Sequence, residues 1–125
     1  MGYEKYFVME DTVKFKIDGL EFVYKPMTAG EELDRLDEYT KIDDRGRPIQ
    51  DLKRITELKL TRIIKAPFSK SFIKKLIGID KEWEELDDNE KLQFFRKAKP
   101  NFVSKIIDKI QELDAGTEGD ALKNS

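Results

Sequence analysis

Asp18-Gly19 sits between two alternating apolar runs in the stretch TVKFKIDGLEFVYKP, residues 12–26. A two-residue type I′ turn needs positive φ at both central positions, and Asp-Gly is one of the few dipeptides that tolerate it. Residues 12–25 are therefore expected to form a β-hairpin whose register the short turn pins. Ile17 then faces Leu20, Phe15 faces Phe22 and Val13 faces Tyr24, all on one side. Lys16 opposes Glu21 on the other side, an exposed pair of small energetic value. A lone hairpin is marginal in water, so its apolar side needs a cover.

The chain after the hairpin reads as helical. Pro26 ends the ladder because it has no N–H to donate. Thr28 with Glu31 forms a capping-box signature for a helix running through Leu33, Leu36 and Tyr39. Residues 41–50, KIDDRGRPIQ, read as a loop of turn-forming residues. Asp51 caps a second helix to about Ile64. Ala66-Pro67-Phe68 breaks the chain, Ser69 or Ser71 caps a third helix, and Gly78 suits its C-terminal end. A further turn holds Trp83 and Leu86. Asp87 or Asp88 caps a helix with Leu92, Phe94 and Phe95, ending at Lys99. Asn101 caps the last, where Phe102, Ile106 and Ile110 form one i, i+4 stripe and Val103 with Ile107 a second. From Asp114 the composition turns polar and reads as a disordered tail.

The expected architecture is α+β. A two- or three-stranded antiparallel sheet built on the N-terminal hairpin is covered by about four to five short helices. Residues 1–113 form one domain, with the hairpin at 12–25, the helical part at 28–113 and the tail at 114–125. Residues 1–11, MGYEKYFVMED, are either a short strand beside the hairpin or an arm that packs on a partner.

Composition narrows the function. The 125 residues contain no Cys and no His, which removes disulfides, thiolate and imidazole metal sites, cysteine nucleophiles and histidine acid–base chemistry. Lys and Arg total 24 against 26 Asp and Glu, a net charge of −2, which offers no general attraction to nucleic acid or anionic membrane. No run of about 18 apolar residues and no secretory signal is present, so the expected setting is the cytoplasm, with no membrane contact.

No catalytic, cofactor or metal constellation emerges, and an enzyme is not expected. The acidic run of Glu82, Glu84, Glu85, Asp87, Asp88 and Glu90 lacks the ligand order of a calcium loop and reads as helix-end capping. Asp43, Asp44 and Arg45 with Gly46 resemble a metal-binding turn about as well as a plain one. Two binding surfaces are conceivable. One is a surplus of apolar side chains for partner contact: Tyr3, Tyr6, Phe7, Trp83, Phe94 and Phe95. The other is a nucleic-acid patch of Lys70, Lys74, Lys75, Arg96 and Lys97, with aromatic residues interleaved for stacking; the net acidic chain disfavours it.

The run from Phe15 to Tyr39, FKIDGLEFVYKPMTAGEELDRLDEY, resembles the start of small tail assembly chaperones of long-tailed phages and related prophages. The matching residues are Asp18, Gly19, Phe22, Lys25, Pro26, Met27, Thr28, Gly30 and Glu31. The run Ile42–Pro48 and the following helix with Leu58 and Leu60 are also similar, so the likeness lies mainly in residues 13–64. It implies a non-enzymatic role: coating the long helical tape-measure protein before the tail tube polymerises, then leaving. Self-association and a longer, frameshifted form are also within what the resemblance implies. A small protein with apolar grooves and a charged exterior suits such a task.

Overall fold

The computed structural model describes residues 2–9 and 11–115. Strands β1 (Val13–Ile17) and β2 (Leu20–Tyr24) form the expected antiparallel hairpin, with Phe15 opposite Phe22, Lys16 opposite Glu21 and Ile17 opposite Leu20. Asp18 (φ 52°) and Gly19 (φ 83°) both take the left-handed conformation the turn demands. Five of the six apolar side chains on the inward side are buried or half-buried, while Leu20, beside the turn, stays exposed.

The sheet gains a third strand that the apolar pattern conceals. Helix α2 (Leu52–Thr61), capped by Asp51, stops three residues before the expected Ile64, and Ile63–Lys65 continues as β5. It pairs antiparallel with β2, giving the order β1-β2-β5. Arg62 locks the junction. Its carbonyl accepts from the Lys25 N–H at 2.9 Å, and its guanidinium donates to the Lys25 and Pro26 carbonyls and to Glu31. A β-branched pair, Ile63-Ile64, fits the sheet edge better than a fourth helical turn.

Between β2 and α2 the chain differs again from expectation. Thr28 and Glu31 make the capping box, yet α1 covers only Ala29–Asp34, and a single 3-10 turn, Leu36–Glu38, follows. Residues 41–50 are not an open loop: Thr40–Ile42 (β3) pairs antiparallel with Pro48–Gln50 (β4). The turn between them is organised by Asp43, whose Oδ1 accepts from the Arg45 and Arg47 N–H groups, each at 2.9 Å. These backbone donors, Arg47 first, hold its carboxyl below the usual carboxylate range. The expected helical span 28–113 thus contains three short strands. Two of them, β3 and β4, make a separate ribbon.

Helices α3 (Lys70–Ile77) and α4 (Asp88–Arg96) start at Ser69 and Asp87, whose side chains accept from Phe72 N–H and Glu90 N–H. Gly78, at φ 74°, ends α3 with the left-handed cap that glycine adopts at little cost. The run between them carries a 3-10 turn, Trp83–Glu85.

Helix α5 (Pro100–Ala115) begins one residue before the expected cap. Pro100 holds the first helical position, where a missing N–H costs nothing, and Asn101 lies inside the first turn. Nor does the chain become a tail at Asp114. Asp114 belongs to α5, where its carboxylate accepts from the Tyr24 hydroxyl at 3.1 Å and pairs with Lys59. Near the other end of α5, Lys105 pairs with Asp18 of the hairpin turn at 3.1 Å. The rest of the expected tail, 116–125, lies outside the described residues. At the N-terminus, Glu4–Tyr6 form a 3-10 turn rather than a strand.

One cluster joins these elements. Phe15, Ile17, Phe22 and Tyr24 of the hairpin pack with Ile63 of β5, Ile73 of α3, Trp83, Phe94 and Phe95, and with Ile106 and Ile110 of α5. The α+β expectation therefore holds, with the helices covering the sheet.

Candidate functional site

The aromatic cluster of the core reaches the surface at Phe72. The Ala66-Pro67 break after β5 delivers Phe68 into the middle of the rings. Its centroid lies 4.7 Å from Phe94, 5.9 Å from Phe22, 5.9 Å from Trp83 and 6.0 Å from Phe72. Phe72 and Leu76 follow one turn apart on α3 and so share a face. Phe102 of α5 approaches from the hairpin side, 6.3 Å from Phe22.

Where these elements fail to close on each other they leave an open groove of about 270 Å³. Phe68, Phe72, Leu76, Phe94, Ala98 and Phe102 line it. Lys97 and Lys99, flanking the α4–α5 link, complete the lining, which contains no acidic residue. Both lysines are exposed, and neither pairs with a carboxylate among the described residues. Phe72 is 44% exposed, an unusual position for a phenylalanine that also contacts the core. A second, smaller pocket of about 170 Å³ lies between Met27, Tyr39, Ile55 and Leu58. Glu32, Gln50 and Lys59 also line it, and Lys59 is already engaged by Asp114.

The structure divides the expected partner-contact residues. Tyr3 (81% exposed), Tyr6 and Phe7 are on the surface. Trp83, Phe94 and Phe95 are not: they are 1%, 2% and 4% exposed and form the centre of the core. Trp83 meets Phe94 and Phe95 edge-on at 5.2 and 5.6 Å, and its indole N–H donates to the Ile63 carbonyl of β5 at 2.9 Å. Trp83 looks surplus in the sequence because its own turn is polar; it is the strand β5, invisible to periodicity, that gives it a place.

The expected basic patch is partly neutralised. Arg96 pairs with Glu57 at 2.9 Å and Lys70 approaches Asp80 at 4.0 Å. Lys74 and Lys75 lie on the exposed side of α3, and Lys97 belongs to the groove. The acidic run serves as caps: Glu82 with Glu85 and Asp87 with Glu90 form two capping boxes, and Glu90 also receives Lys81.

One buried amine went unnoticed in the sequence. Lys91 is 7% exposed, donates to the Thr61 carbonyl at 3.3 Å and lies 5.9 Å from the Trp83 ring centroid. Burial pushes its pKa below the usual lysine value, opposed by Asp88 and Glu84. The amine closes the end of α2. Replacing Lys91 by Met is expected to change stability at neutral pH by no more than about 1 kcal/mol, because lost hydrogen bonding is offset by relieved desolvation. The pH dependence identifies the group. Between the depressed folded value and about 10.4 the unfolded chain binds the proton more tightly, so this group adds stability as pH rises. Urea melts from pH 7 to pH 10 should show that slope in the native protein and less of it in Lys91→Met.

No family model matches the chain, and no match emerges from either the curated proteins or the solved structures.

Proposed function

We propose that this protein is a non-enzymatic tail assembly chaperone of a phage or prophage. It covers apolar helical faces of a tape-measure protein in the host cytoplasm until the tail tube replaces it. The observation that carries the reading is the open groove of Phe68, Phe72, Leu76 and Phe102, an exposed apolar channel on a chain whose residues are 40% charged. An amphipathic helix laid in an apolar groove is a recurrent mode of peptide recognition, and a charged exterior keeps the resulting complex soluble. The resemblance of residues 15–39 to such chaperones points the same way. Among the described residues no helix is long and apolar enough to cross a membrane. Modest affinity at each groove, multiplied along a long partner, would permit both coating and displacement. The exposed arm with Tyr3, Tyr6 and Phe7 offers a second contact, to the partner or to a neighbouring copy.

The test is affinity purification of the tagged full chain from cells carrying its native genome, beside a Phe72→Ser, Leu76→Ser variant. A very long, helix-rich protein should accompany the native chain and be lost from the variant, while circular dichroism shows the variant folded. Retention of that protein by a folded variant would remove the groove from the function. Recovery of nucleic acid in its place, with affinity falling steeply as salt is added, would move the function to Lys74, Lys75 and Lys97.

A further inference from the structure

We infer that the groove is selective for an amphipathic helix whose apolar stripe is bordered by aspartate and glutamate. This rests on the reading of the groove as a helix-docking site and adds the chemistry of the occupant. The first ground is the charge of the groove's rim. Several lysines of the chain pair with its own carboxylates: Lys59 with Asp114, Lys81 with Glu90, Lys105 with Asp18 and Lys109 with Glu112. At the groove Lys97 and Lys99 stand two residues apart on the α4–α5 link with no such partner among the described residues and no acidic residue in the lining. A chain of net charge −2 thus presents a locally cationic edge at an apolar opening. Charges at the rim of an apolar site discriminate between occupants and speed their encounter more than they add raw affinity.

The second ground is shape. Phe72 and Leu76 lie one helical turn apart, so they present an apolar ridge of the kind that meshes with the i, i+3 and i+4 side chains of another helix. Stacking of successive bases needs exposed ring faces. Here Phe94 is 2% exposed, Phe68 and Phe102 are half-buried, and Phe72 alone is open. An aliphatic or aromatic stripe fits this lining; a run of nucleobases does not. Carboxylates on the flanks of that stripe would reach Lys97 and Lys99, which line the same groove.

The probes are three synthetic helical peptides of about 20 residues sharing one Leu/Phe stripe, flanked by Glu, by Gln or by Lys. Each is titrated against the full chain by fluorescence anisotropy at low and high salt. The Glu-flanked peptide should bind about tenfold tighter than the Lys-flanked one at low salt, with the gap closing as salt screens the rim. In a Lys97→Glu, Lys99→Glu variant, whose changes are confined to exposed side chains, the order should reverse. Equal binding of all three peptides, abolished by Phe72→Ser, would overturn the charge selectivity while leaving the docking site intact. No binding of any peptide would overturn both. Tight binding of an oligothymidylate that competes with the Glu-flanked peptide would overturn the peptide assignment.

Discussion

Replacing Trp83 by Ala is expected to cost about 3–5 kcal/mol of unfolding free energy, as large aromatic truncations in a packed core do. That is a large fraction of the roughly 5–15 kcal/mol that holds a small domain together. The magnitude follows from position. Trp83 is 1% exposed and packs against Phe68, Phe94 and Phe95 with centroids 5.2–5.9 Å away. Its removal therefore opens a void bordered by rings that helices α3 and α4 and the chain break at Pro67 hold in place. The indole also ties the 3-10 turn to β5 through the Ile63 carbonyl. Trp83→Phe keeps most of the ring contact and loses that hydrogen bond, so a cost of about 1–3 kcal/mol is expected. Denaturant melts followed by far-ultraviolet circular dichroism measure both. Melts of Trp83→Ala that match those of the native chain would mean the residue is not core.

Asp114→Ala is expected to cost about 1.5–3 kcal/mol, the range for hydrogen bonds to charged groups. The Tyr24 side chain is fully buried, and its hydroxyl donates to Asp114 across 90 residues of sequence. Without the carboxylate that hydroxyl has no acceptor, and Lys59 loses its ion-pair partner. Asp114→Asn keeps an acceptor and removes the charge, so it should cost less. The same contact sets an alkaline limit. Burial, and then the Asp114 carboxylate, push the Tyr24 pKa far above its ordinary value. The unfolded chain releases that proton near pH 10 while the folded chain retains it. Stability therefore stays level with respect to this group below about pH 10 and falls as pH rises beyond it. Tyr24→Phe should flatten that fall. A double-mutant cycle on Tyr24 and Asp114 isolates the coupling between them.

The groove was only half legible in the sequence. Phe72, Lys97 and Lys99 all appear there among aromatics interleaved with lysines, a pattern that also suits a core with flanking lysines or a stacking surface. What separates the readings is exposure: Arg96 and Lys70 face carboxylates, Phe94 is buried, and Lys97 alone of the expected patch lines the opening. None of those facts follows from order along the chain. The partner-contact residues divide in the same way, since Tyr3 and Phe7 are exposed while Trp83 and Phe95 meet each other across the fold.

Local chemistry by itself determined the elements whose causes lie within a few residues. The type I′ hairpin at Asp18-Gly19, its register, the caps at Thr28, Asp51, Ser69 and Asp87 and the glycine stop at Gly78 each depend on neighbouring backbone geometry. Tertiary structure alone decided β5, the place of Asp114 in α5 and the burial of Trp83. Ile63–Lys65 are a strand because β2 offers an open edge; without it the run would extend α2. Asp114 continues a helix because Tyr24 and Lys59 wait at its end. The physical reason is common to all three. Such residues take their conformation from partners tens of residues away, and a contact of that kind has no period and no local signature in the order of the amino acids.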